Sequence, residues 1–265
     1  MKKKKILIIS IFIILIIILI ILSTTVLGMF INKYSCESSY LDFADKNQNT
    51  IFSINKCIFF SNCNAKNKTS SATNFTIENL YQYTDIALFI NNNNKENSLE
   101  NTLKSVKIKN LKFLQTPSVG NQKIFYKNIN SFAESIIPET NIFEDEIVFN
   151  ISSEDNEDLT TPTLYNNCAN PIVLSYINEN IKSDYTITDT SSPITYDGSL
   201  LKRCGVLPNS LNAKFSFDIY ITNNLDQEFK CTVYIEPPVE TESKSLYDGA
   251  ITLTQNTNYN FYRYK

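Results

Sequence analysis

From Ile6 to Leu22 the chain runs through seventeen positions that are apolar except for Ser10, and no charge follows until Lys33. A helix rises about 1.5 Å per residue, so roughly 20 such residues match the hydrocarbon core of a bilayer. In lipid the backbone can satisfy its hydrogen bonds only internally, which forces an otherwise mediocre isoleucine-rich segment into a helix. The stretch is longer than a cleavable signal's apolar region, and no small-x-small site follows it. Lys33-Tyr34-Ser35 before Cys36 is not the small-residue box of a lipoprotein signal. Lys2 to Lys5 form a cationic tip that the positive-inside bias keeps in the cytoplasm. The expected layout is a cytoplasmic tip (1–5), a transmembrane anchor in the bilayer (6–31), a membrane-proximal segment (32–48) and an extracytoplasmic domain (49–265), that is, a single-pass plasma-membrane protein.

Beyond the anchor the balance of charge reverses. The chain has 24 basic and 27 acidic residues, and setting aside the four lysines of the tip leaves a net charge of −7. That sign excludes nucleic acid as a partner and argues against flat docking on anionic lipid. Hydrophobic residues make up 43% of the chain, enough for a packed core. Glycine is scarce, with 5 residues, whereas asparagine occurs 34 times. Asparagine tolerates positive φ next best after glycine, so runs such as Asn91–Asn94 and Asn223–Asn224 are expected at turns.

The strongest periodicity in this domain is two. Phe215, Phe217, Ile219 and Ile221 alternate with polar neighbours, as do Phe229, Cys231, Val233 and Ile235, and a polar loop separates the two runs. This is a β-hairpin pattern. Further strands are expected over 50–60, 85–91, 105–114, 124–126, 146–152, 171–177, 185–188, 250–254 and 259–264. The apolar phase slips at Asn110, which predicts a β-bulge. Ser131 and Glu134 form a capping-box pattern that predicts two helical turns closed by Pro138. Many short strands with almost no helix indicate an all-β fold, an antiparallel β-sandwich of Ig-like or jelly-roll type. The acidic stretch 154–162 is the natural place for an internal boundary.

Six cysteines lie beyond the anchor, and Cys57, Cys63, Cys204 and Cys231 are the candidates for disulfides, Cys57 with Cys63 across a small loop and Cys231 with Cys204 between sheets. The chain contains no histidine, which removes Ser-His-Asp and Cys-His catalysis and histidine-ligated metals. Glu154, Asp155, Glu157 and Asp158 are the one candidate cation loop, although they lack EF-hand spacing. No phosphate-binding or nucleophile-elbow motif occurs, so no cofactor and no catalytic residue is expected. The layout resembles that of anchored surface proteins of bacteria, a resemblance of architecture that no motif carries further. It implies a β-rich module with a binding or structural role at the cell envelope, toward an envelope protein or glycan. The alternatives are a subunit of a membrane assembly such as a secretion or conjugation apparatus, and then a carboxylate-dependent hydrolase.

Overall fold

The computed structural model describes residues 50–70, 75–94, 98–138, 142–152, 163–165, 171–189 and 191–263, with 14–16 and 23 as isolated helical positions. The expected anchor 6–31 lies almost wholly outside these residues, as do segment 32–48 and the boundary at 154–162. Among the described residues no helix is long and apolar enough to cross a membrane. The described residues from 50 to 261 belong to one compact unit.

The larger unit is all-β, with two sheets built from β1 (Phe52–Ser70), β2 (Phe75–Asn92), β3 (Leu103–Gln115), β4 (Asn121–Tyr126), β5 (Glu146–Ser152), β6 (Thr163–Tyr165), β7 (Pro171–Ile187), β8 (Lys214–Asn223), β9 (Glu228–Ile235) and β10 (Ile251–Asn260). The first sheet has the order β10–β1–β2–β7–β4, and the second runs β9–β8–β3–β5–β6. Pairing is antiparallel except between β5 and β6, which are parallel. The sandwich core follows from the alternation. Phe215, Phe217, Ile219 and Ile221 of β8 and Phe229, Cys231, Val233 and Ile235 of β9 are all buried in it. They meet Ile86, Leu88 and Ile90 of β2 and Ile172, Leu174 and Tyr176 of β7 in the same core. Tyr176 stacks on Phe215 with centroids 5.8 Å apart.

The bulge at Asn110 is present: φ is 58° there, and the β3–β8 register shifts between Lys109 and Lys112. Positive φ also occurs at Asn180 and Asp184 inside β7, and at Asp226 in the β8–β9 loop. Asparagine does take the left-handed positions, though within strands rather than in the runs at 91–94 and 223–224. Buried Asn223 instead organises the β8–β9 loop through its side chain, which accepts from the N–H groups of Leu225 (3.1 Å) and Gln227 (2.9 Å).

Strands β1, β2 and β7 are 19, 18 and 17 residues long, far beyond the expected spans, and 171–177 and 185–188 turn out to be one strand. Their extra halves continue past the second sheet and bury a separate core of Ile77, Leu80, Ile181 and Ile187. What covers that core is mostly irregular chain. It comprises a five-residue helix α1 (Ser199–Arg203), a 3-10 turn at Pro208–Leu211 and another at Leu246–Asp248, supplying Leu200, Leu201, Leu211 and Leu246. Gly198 enters α1 so close to this cover that a Cβ there would lie 1.8 Å from the Leu246 carbonyl oxygen. Gly205 (φ 66°) ends α1 in the left-handed conformation, as its place after Lys202-Arg203-Cys204 suggests.

The two helical turns expected after Ser131 do not form. A single 3-10 turn spans Ile129–Ser131 with Asn128 as its cap, and Ala133 sits at φ 69°. The reason is tertiary: the Ala133 N–H turns toward the buried Asp85 carboxylate, donating to Oδ2 at 2.8 Å.

Candidate functional site

The outer face of the first sheet carries the feature best suited to binding. On β2, Tyr81, Tyr83 and Asp85 occupy alternate positions, and Phe125 of β4 and Ile177 of β7 cluster with the two tyrosines. The strand pairs Asp85↔Ser175 and Phe125↔Ser175 place β2, β7 and β4 side by side at this level. Asp85 and Lys127 form an ion pair at 2.7 Å with side chains 0% and 1% exposed. Ser175 Oγ donates to Asp85 Oδ1 at 2.7 Å, the Lys127 ammonium also donates to the Glu134 carbonyl, and it lies 5.7 Å from the centre of the Tyr83 ring. Burial pushes the Asp85 carboxyl above its ordinary value, and Lys127, Ser175 and the Ala133 N–H pull the other way. A buried pair with its remaining bonds satisfied is held to one geometry, because leaving either charge unpaired costs several kcal/mol, roughly 3–5. The segment 127–135 is thereby fastened across the sheet.

Beside that fastening lies a groove of about 520 Å³, lined by Lys66, Tyr81, Lys123, Phe125, Ser135, Ile137, Pro138, Ile142 and Glu179. Its floor is Tyr81 and Phe125, both buried. Asn64 donates to Ser135 Oγ at 2.7 Å and the Tyr81 hydroxyl to the Ser135 carbonyl at 3.3 Å, so the far wall is tied to β1 and β2. Burial raises the Tyr81 phenol and takes that of Tyr83 to about 12, so both are neutral near pH 7, Tyr81 donating to Ser135 and Tyr83 accepting from the Asn62 amide. Lys123 pairs with Glu179 at 2.9 Å on the rim. Lys66 is exposed and has no ion-pair partner among the described residues. The arrangement provides an apolar, aromatic surface flanked by the Lys66 ammonium, which has no ion-pair partner among the described residues, and by the Lys123–Glu179 pair.

None of these residues stands out in the sequence as a site. The signal that was available is the alternation Tyr81-x-Tyr83-x-Asp85, which lies just ahead of the apolar run from Ile86. A charged residue there reads as the start of a strand, whereas Asp85 sits in the middle of one.

Of the candidates that the sequence offers, Cys57, Cys63, Cys204 and Cys231 fall among the described residues. Glu154, Asp155, Glu157 and Asp158 lie outside the described residues, as do Cys36 and Cys168. Among the described residues no group of three or more cysteine, aspartate or glutamate side chains is placed to hold a metal ion. Glu146, the first residue of β5, pairs with Lys109 at 2.7 Å. Cys57, Cys63, Cys204 and Cys231 are buried free thiols. Cys57 and Cys63 stand in the continuous strand β1, which sets them about 20 Å apart at ~3.3 Å per residue, far beyond the span of a disulfide. Cys231 belongs to the sandwich core and Cys204 to the second core. Burial raises the thiols of Cys57 and Cys231 to about 12 and that of Cys204 to about 11, which leaves them unreactive near neutral pH. No family model, curated protein or solved structure matches the chain.

Proposed function

We propose that the β-sandwich is a binding module displayed on the outer side of the cell envelope, tethered through residues 6–31, and that it holds a partner in the groove beside β4. The single observation that carries this reading is the groove itself. Its size falls within the range of about 300–1,000 Å³ typical of ligand sites, and its aromatic floor with a few placed polar groups has the composition of such sites. The buried Asp85–Lys127 pair keeps it preformed, which lowers the ordering cost of binding. An exposed ammonium at Lys66, unpaired among the described residues, beside Tyr81 and Phe125 suits a protein segment that presents a carboxylate next to an apolar side chain. A neutral glycan would leave the Lys66 charge unused, and the chain contains no tryptophan to serve as a sugar platform.

The test uses the full chain in its own membrane. A photo-crosslinking residue is placed at Ile137, on the groove wall, and, as a control, at Tyr234, which is 60% exposed on β9. The expected result is a discrete adduct with another envelope protein from Ile137, none from Tyr234, and loss of the adduct on Lys66→Glu. Equal or absent labelling at the two positions overturns the groove as the binding site. Protease added to intact cells is expected to digest the domain. A resistant domain together with a cytosolic C-terminal reporter overturns its display outside.

A further inference from the structure

The first sheet ends on β4 at one side and on β10 at the other. The two edges are treated differently. Strand β4 is six residues long, carries Lys123, and has its outer edge occupied at Ile124, whose carbonyl accepts from the Phe143 N–H at 2.7 Å, with Phe125 bridged to Ile142. Strand β10 is ten residues long and pairs with β1 along one side, from Ile251↔Ser61 to Asn260↔Ser53, with one extra residue on β10 between Asn256 and Tyr259, so that 251–256 is its regular stretch. Among the described residues no strand pairs with its other side.

An open edge is a row of unpaired N–H and C=O groups, and proteins ordinarily blunt it with lysine, proline, a bulge of the edge strand or a cover. The sequence of β10, Ile-Thr-Leu-Thr-Gln-Asn-Thr-Asn-Tyr-Asn, contains no charge, no proline and no glycine. Leu253 and Tyr259 pack against the buried cores, and the Tyr259 hydroxyl donates to the Tyr234 carbonyl at 2.8 Å, which holds the strand in place. Thr252, Thr254, Gln255, Asn256 and Asn258 are exposed.

We propose that the regular stretch 251–256 of β10, ahead of the bulge, is a pairing edge for a second copy of this chain, the two strands running antiparallel about a two-fold axis so that two five-stranded sheets join into one. In an isologous contact each side chain near the axis faces its own twin or a near neighbour. Most strands fail that condition, because a charge placed opposite itself is repelled. A strand of threonine, asparagine and glutamine meets it, since each hydroxyl or amide both donates and accepts. The neutrality of β10 stands out on a domain this rich in acids, and it removes the repulsion that would otherwise keep two copies apart.

The experiment uses the full chain in membranes, with a photo-crosslinking residue at Gln255 and, separately, the double substitution Thr254→Lys and Asn256→Lys on that background. Both positions are exposed, so the fold is expected to survive, as checked by an unchanged circular dichroism spectrum. The expected result is a covalent species of twice the chain mass from Gln255, reduced about tenfold or more by the lysines, which set like charges opposite one another. No dimer from Gln255 overturns the proposal. So does a dimer that persists undiminished in the folded lysine variant, or an adduct with a different protein in place of the dimer.

Discussion

The two hydrophobic cores of this domain are made in different ways. In the sandwich core strands face strands, and membership of the apolar core follows parity along β8 and β9. In the second core the same long strands, β1, β2 and β7, are covered by a short helix, two 3-10 turns and loops. That cover is held by particular contacts. The Gly198 N–H donates to Asn62 Oδ1 (3.1 Å), and Asp197 accepts from the Ser199 N–H (2.9 Å) at the start of α1. Arg203 donates to the carbonyls of Asp189, Ser192 and Pro193, and Ser245 and Asp248 form a capping box. A periodic core is specified redundantly by many equivalent positions. A core under irregular chain depends on a few close approaches, so the two are expected to fail differently.

The comparison breaks most cleanly when each core is hollowed. Phe217→Ala is expected to cost about 3–5 kcal/mol and to lower the urea midpoint of the whole domain, because both sheets lose a shared neighbour. Leu200→Ala is expected to cost about 3 kcal/mol. Its amide exchange should quicken in 194–211 and 239–250 while β8 and β9 keep their protection. If exchange rises equally in β8 and β9, the two cores are one cooperative unit and the contrast fails.

The contact-dependent cover is sharpened by its glycines. Gly198→Ala is expected to cost about 2–3 kcal/mol, because the added methyl meets backbone oxygens of Leu246 and Gly249 that have no rotamer to move. Gly205→Ala, which meets nothing within 4 Å, is expected to cost only the strain of its positive φ, about 1 kcal/mol. Equal thermal shifts for the two would mean that close approach at Gly198 does not hold the cover in place.

The smallest effect is on pH. Asp218 lies on the outer face of the second sheet, where burial raises its carboxyl, but Thr232 (2.6 Å), Asn110 (2.8 Å) and Lys230 (3.1 Å) together bring it below its ordinary value. A carboxyl lowered by folding stabilises the fold above its unfolded value. That stabilisation is lost as the pH falls below about 4 toward the folded value. Urea midpoints measured across this range should decline in the wild type and decline less in Asp218→Asn. Identical slopes would remove Asp218 from the account of the sandwich.

How much of this was legible follows the same division. The hairpin of β8 and β9 and the bulge at Asn110 could be read directly, because alternation and its slip are local and each residue reports its own face. The second halves of β1 and β7 could not. Asn62, Asn64, Lys66, Asn180 and Asp184 interrupt the apolar pattern, and the positive φ values at Asn180 and Asp184 belong to a strand rather than to turns. The groove was hidden for a related reason. Tyr81 and Phe125 are 44 residues apart in the chain and become neighbours only through β7, which pairs with both of their strands.

By itself the sequence determined that strands would dominate, which faces of β8 and β9 would be buried, and that histidine chemistry is absent, since all of these depend on the identity and spacing of near neighbours. Tertiary structure alone decided that Asp85 would accept the Ala133 N–H and so prevent the helix that Ser131 and Glu134 encode. It also decided that a second core would form under irregular chain. The reason is the same in both cases: the free energy of a buried charge or of a close backbone contact depends on its partner, and the partner is brought there by the fold.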